Sequence, residues 1–119
     1  MIVVYGLKNC DSCRKARSWL TERDLVHRFH DLRADGLPPS RLEAWLAALG
    51  WETVLNRRGT TWRQLPEEVR SSVTGETAAG LLADHPALIK RPVFELSDGR
   101  VLIGFTGAQQ TALAEAPPD

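Results

Sequence analysis

Two cysteines stand three residues apart in the stretch Cys10-Asp11-Ser12-Cys13, and they are the only cysteines in the chain. A Cys-x-x-Cys pair where a strand hands over to a helix suits thiol chemistry, because the first turn's free N–H groups and the helix dipole stabilise an anion there. A thiol of ordinary pKa, about 8.5, is only about 3% ionised at pH 7, whereas one shifted to about 7 is about half ionised. The second sulfur, one helical turn on, can attack a mixed disulfide formed on the first. This spacing assigns attack to Cys10 and resolution to Cys13.

Other readings of the pair meet physical objections. A structural disulfide would close a four-residue loop, removing only about 2 kcal/mol of unfolded-state entropy, and a reducing compartment opposes it. A zinc site completed by His27 and His30 fails because residues three apart on a strand face opposite sides. Packing as small hydrophobes suits Cys13, which falls on an apolar helical face, better than Cys10, which follows Asn9 in a turn.

The elements that must position the pair follow from patterning. Residues 2–5, Ile-Val-Val-Tyr, form a β-branched and aromatic run that stops at Gly6, which predicts a buried strand. Residues 7–9 make a loop. From residue 11 to 22 the period becomes helical, with Cys13, Ala16, Trp19 and Leu20 on one face and Arg14, Lys15 and Arg17 on the other. Residues 26–32 read as a second strand ending near Asp35-Gly36, and strand, helix, strand with one crossover fits a right-handed parallel unit. Residues 38–85 read as helical. One helix carries Leu42, Trp45, Leu46 and Leu49, with Ser40 as N-cap and Gly50 at its C-terminal end; a first turn follows Pro66, and another helix spans 76–84. Residues 93–96 and 101–103 flank Ser97-Asp98-Gly99-Arg100 as an antiparallel hairpin, a last helix spans 108–114, and the tail from 116 to 119 frays. Trp19 and Trp45 read as core, Trp62 lies in a Thr-Thr-Trp loop, and His85 reads as a helix-end residue. The fold class expected is α/β, a mixed four-stranded sheet with a helical insertion.

With 119 residues, 15 basic and 15 acidic side chains, the chain suits one domain, and the balanced charge removes the basic signature of a nucleic-acid binder. The balance is uneven along the chain. Residues 1–65 carry net +4 and residues 66–119 net −4, which directs any anion site to the first part or to the few later arginines. No apolar run approaches the roughly 18 residues of a membrane span, and residues 1–8 lack signal-peptide order, so a cytoplasmic protein is expected.

The segments from Val4 to Arg17 (Val-Tyr-Gly-Leu-Lys-Asn-Cys-Asp-Ser-Cys-Arg-Lys-Ala-Arg), from Asn56 to Arg63 (Asn-Arg-Arg-Gly-Thr-Thr-Trp-Arg) and from His85 to Pro92 (His-Pro-Ala-Leu-Ile-Lys-Arg-Pro) resemble successive signatures of the arsenate reductase (ArsC-like) family. The likeness spans nearly the whole chain and is greatest to the YffB-type branch of small thiol reductases; residues 12–17 also resemble the Spx regulators. It implies a thioredoxin-like, glutaredoxin-type fold in a single domain, with a core of residues 1–36 and 86–115 and a helical insertion at 38–85. It further implies a catalytic Cys10 supported by arginines, with Arg58 or its neighbour Arg57 matching one and Arg91 before Pro92 another. A third family arginine would fall near Gly104-Phe105, where this chain has no basic residue. Pro92 resembles the cis-proline that approaches the active cysteine in such folds.

The resulting expectations are a thiol-disulfide oxidoreductase with catalytic residues Cys10, Cys13, Arg58 and Arg91 and a substrate-binding set of Asn9, Arg57, Arg58, Arg91 and Pro92. No bound cofactor or metal is expected. Glutathione is the implied co-substrate, with glutaredoxin a further partner, since guanidinium groups bind carboxylates as they bind oxyanions. Two alternatives stand beside this reading: an arsenate reductase, and an Spx-like redox-switched regulator that binds RNA polymerase. The second is weakened by the acidic, proline-ended tail in place of a basic extension.

Overall fold

The computed structural model describes residues 1–116, so the expectation of a frayed tail at 116–119 lies, apart from Ala116, outside the described part. Strand β1, Ile2–Gly6, leads through a short turn into helix α1, Asp11–Glu22, which returns the chain to strand β2, His27–Asp31. β1 and β2 are parallel, with Ile2 opposite His27 and Gly6 opposite Asp31. β1 also pairs antiparallel with β3, Val93–Glu95, and β3 with β4, Val101–Ile103, giving the sheet order β2-β1-β3-β4. This is the mixed four-stranded, thioredoxin-like sheet expected from the sequence.

The chain divides into two compact units, the first built from Met1–Gly36 with the chain from Arg91 onward, the second from Leu37–Lys90. In the first, β1 is the inner strand, and the alternation of its side chains puts Ile2 and Val4 into a core with Ala16 and Leu20 of α1, Phe94, Leu96 and Leu113. Trp19 packs against this core and meets Phe105 edge-on, ring centroids 5.7 Å apart. Leu113 comes from the last helix, which starts at Gly107, one residue earlier than expected. The reason is a capping box: the Thr106 N–H donates to Gln109 Oε1 at 2.8 Å, a Thr-x-x-Gln pattern legible in the sequence.

The second unit holds helices α2 (Pro39–Leu49), α3 (Trp51–Val54), α4 (Thr60–Gln64), α5 (Glu67–Ser71) and α6 (Ala78–Asp84), then a 3₁₀ turn at Pro86–Leu88; the last helix of the first unit, Gly107–Glu115, is α7. Three expectations are corrected here. The cap of α2 is Pro38 rather than Ser40, because a proline at the first helical position, Pro39, lacks only an N–H that has no partner in a first turn. α6 begins at Ala78 rather than 76, since a threonine turn intervenes, with the Thr74 N–H donating to Thr77 Oγ1 at 2.9 Å. The Thr-Thr-Trp segment is a helical turn, not a loop. An unforeseen antiparallel bridge joins Leu55 to Ile89, flanked by Asn56 N–H to Leu88 O at 2.7 Å and Lys90 N–H to Val54 O at 2.8 Å. Among the described residues no helix is long and apolar enough to cross a membrane.

Candidate active site

The site begins where β1 stops. The Cys10 N–H donates to Leu7 O at 3.2 Å, closing the turn, and the Cys10 carbonyl accepts the Arg14 N–H at 3.0 Å as the first bond of α1. Cys10 is therefore the helix N-cap, with extended backbone (φ −92°, ψ 122°), and its half-exposed sulfur sits where the helix N–H groups are free. Cys13 faces inward and is wholly buried. A Cβ on Gly6 would collide with Cys13 Sγ, so the strand end must be glycine for the second sulfur to fit. Asp11, the nearest negative charge in sequence, is exposed and paired with Arg14.

These surroundings separate the two thiols. Burial raises Cys10, but the Cys13 backbone N–H and thiol, together with the Arg91 guanidinium, bond its sulfur and hold it below its ordinary value. Burial pushes Cys13 up to about 12, and the neighbouring Cys10 sulfur adds to that shift. Cys10 is thus the more readily ionised thiol of the pair, and Cys13 is a protonated donor behind it.

Arg91 reaches the site from the start of the chain's return to the first unit. The Arg91–Pro92 peptide is cis, as the resemblance implied, and the buried Pro92 accepts the Gly104 N–H on its carbonyl at 2.8 Å. Gly104 itself has φ +86°, a conformation that favours glycine, so the position at which the resemblance implied a further arginine is here a backbone anchor. Cys10, Asn9 and Arg91 line one cleft of about 380 Å³, together with Leu7, Lys8, Asp31, Arg33 and Ala34. Arg57 and Arg58 belong to the second unit. There the Arg57 guanidinium lies 5.4 Å from the Trp51 ring centroid, the Arg58 N–H donates to Asn56 Oδ1 at 3.0 Å, and the Arg58 carbonyl accepts from the Arg63 guanidinium at 2.7 Å.

Sequence reasoning missed Asp31. Only 5% exposed at the end of β2, it accepts the Arg33 and Ala34 N–H groups on Oδ1, both at 2.8 Å, and the Lys8 N–H on Oδ2 at 3.1 Å. The Ala34 N–H first, then those of Arg33 and Lys8 and the Lys8 charge, hold its carboxyl below the usual carboxylate range against the effect of burial. Asp31 thereby ties the turn before Cys10 to the neighbouring strand. The signal was an Asp directly before Leu-Arg-Ala-Asp-Gly, the spacing of a side chain that caps its own following turn.

A thioredoxin-like sheet with a Cys-x-x-Cys pair at the first strand-to-helix junction defines the class of fold and site. Within that class the chain belongs to the ArsC family, whose model matches residues 5–113. It is 46% identical over 112 residues, 94% of this chain and 97% of the relative, to a Haemophilus influenzae protein described as uncharacterized. It is 29% identical to the global transcriptional regulator Spx of Streptococcus mutans, covering 88% of this chain and 77% of the regulator. Among solved structures it superimposes on the YFFB protein with a TM-score of 0.88 at 43% identity, covering 95% of this chain and 98% of that one. An arsenate reductase (ArsC) related protein from Brucella melitensis gives 0.76 at 43% identity, with 96% and 94% covered.

Proposed function

We propose that the chain is a glutathione-dependent thiol reductase working through Cys10 in the cytoplasm, with glutathione as co-substrate and glutaredoxin as a further partner. The observation that supports this most is the opposed state of the two thiols, with Cys10 lowered by donors from Cys13 and Arg91 and Cys13 raised by burial. The Cys10 thiolate attacks the glutathione sulfur of a mixed disulfide. A Cys10–glutathione disulfide forms, the original disulfide breaks, and the substrate leaves as a thiolate that takes a proton from water. A free glutathione thiolate then attacks the glutathione sulfur on Cys10, releasing oxidised glutathione and restoring the Cys10 thiolate, so each turnover consumes one free glutathione, the other half of the released disulfide coming from the adduct. Alternatively Cys13 loses its proton, attacks Cys10 and releases glutathione, leaving a Cys10–Cys13 disulfide for two further glutathiones to reduce. Arg91 stabilises the sulfur anion, while Asn9, Pro92 and Arg57 or Arg58 complete the substrate-binding set that the resemblance supplies.

The test is turnover of a glutathionylated peptide, compared with arsenate, in the presence of glutathione and glutaredoxin. Peptide turnover is expected to disappear in Cys10→Ser and to persist with glutathione in Cys13→Ser. Arsenate is expected to be poorer by about ten- to a hundredfold than for a relative with three arginines, because one charge-assisted contact of roughly 1.5–3 kcal/mol is missing at Gly104. Equal loss in both cysteine variants would favour the regulatory reading, an RNA polymerase-binding redox switch, which the likeness to Spx supports.

A further inference from the structure

Lys8 and Arg33 are exposed cations that flank Asp31, and both line the cleft onto which Cys10 opens. The chemistry assigned to Cys10, Cys13 and Arg91 uses neither. The one carboxylate in the cleft lining is Asp31, whose oxygens are committed to the backbone N–H groups of Lys8, Arg33 and Ala34. Those bonds fix the two backbone positions from which the Lys8 and Arg33 side chains project, so the cleft presents cationic ends on a braced frame. Arg33 offers a planar fork matched to a carboxylate, and Lys8 a compact charge beside it.

We propose that Lys8 and Arg33 form a carboxylate-binding subsite beside Cys10, which favours thiol adducts bearing a free carboxylate, such as a small acidic peptide, over neutral disulfides. The inference rests on the thiol-reductase reading and deepens it by naming two specificity-determining residues. Because both side chains are solvent-exposed, each contributes modestly, about threefold at a charge separation of about 6 Å in water, and salt should screen the effect.

The experiment compares alkylation of Cys10 by iodoacetate and by iodoacetamide in the full chain, read on the Cys10 peptide by mass spectrometry. The reagents differ by one carboxylate, so their rate ratio cancels the thiolate fraction and reports the field of the cleft. The ratio is expected to fall about three- to tenfold in Lys8→Ala/Arg33→Ala at low salt, to fall further when Arg33→Glu replaces Arg33→Ala, to stay near the parent value in Arg33→Lys, and to converge for all at about 1 M salt. Thermal melts check that each variant folds. An unchanged ratio in the double variant at low salt overturns the subsite. Turnover of a glutathionylated peptide by the parent chain is measured alongside: no turnover with a shifted ratio leaves the subsite and removes the enzyme reading, while turnover with an unshifted ratio does the reverse.

Discussion

Cys10 owes its acidity to hydrogen-bond donors that outweigh burial, and those donors can be removed one at a time. Cys13→Ala keeps the backbone N–H but deletes the thiol, so the pH midpoint of Cys10 alkylation is expected to rise. Arg91→Lys keeps the charge but loses the fork, so it should raise the midpoint and impair turnover, while Lys90→Ala at the adjacent exposed residue should change neither. An effect at Lys90 with Arg91→Ala fully active would remove Arg91 from the site. Cys13 shifts the opposite way, and its sign matters for stability. Its folded value is raised, so the stability it contributes is fully present below the ordinary thiol value and is lost as pH climbs toward about 12. Urea midpoints taken from pH 7 to pH 11 should therefore fall less steeply in Cys13→Ala than in the parent chain.

Among the glycines, the least room for a side chain is at Gly6, where the end of β1 meets the first turn of α1. Gly6→Ala forces a Cβ into Cys13 Sγ, and overpacking of this kind costs about 1–3 kcal/mol, read as a lower denaturant midpoint. Cys13→Ala on the same background should restore part of the loss, whereas an undiminished loss would place the strain elsewhere. β1, α1 and the terminal hairpin were legible because a β-branched run, a helical face and two short apolar runs around Asp98-Gly99 each show a period of their own. The helices α3 and α4 were not, since four- and five-residue helices are too short to show one. Cys10 and Cys13 were readable from spacing, and Arg91 before Pro92 only through family likeness. Asp31 was hidden because an aspartate at a strand end looks like an ordinary turn residue until the chain brings Lys8 beside it.

For the whole molecule, the first unit is discontinuous in sequence: Cys10 comes from its leading piece and Arg91 from its trailing one, with Leu37–Lys90 between. A chain ending at Lys90 keeps α1 but lacks Arg91, β3 and the Phe94 that packs on Val4. Its Cys10 is expected to titrate close to the ordinary thiol value, about 8.5, when followed by iodoacetamide rates against pH. A midpoint as low as that of the full chain would mean that the helix terminus alone activates the sulfur.

The pairing of Val3 with Glu95 also sets an order of events during synthesis. A strand made among the first residues has its parallel neighbour β2 within reach early, but its other edge stays unpaired until the chain past residue 90 has left the ribosome. At about 5–20 residues per second, that interval lasts several seconds. Through it β1 presents an open edge, and Cys10 lacks the partner that sharpens it. The share of the low Cys10 value that Arg91 supplies therefore arrives only after the chain past residue 90 has been made, later than the share that the Cys13 backbone N–H and thiol supply from within the first helix.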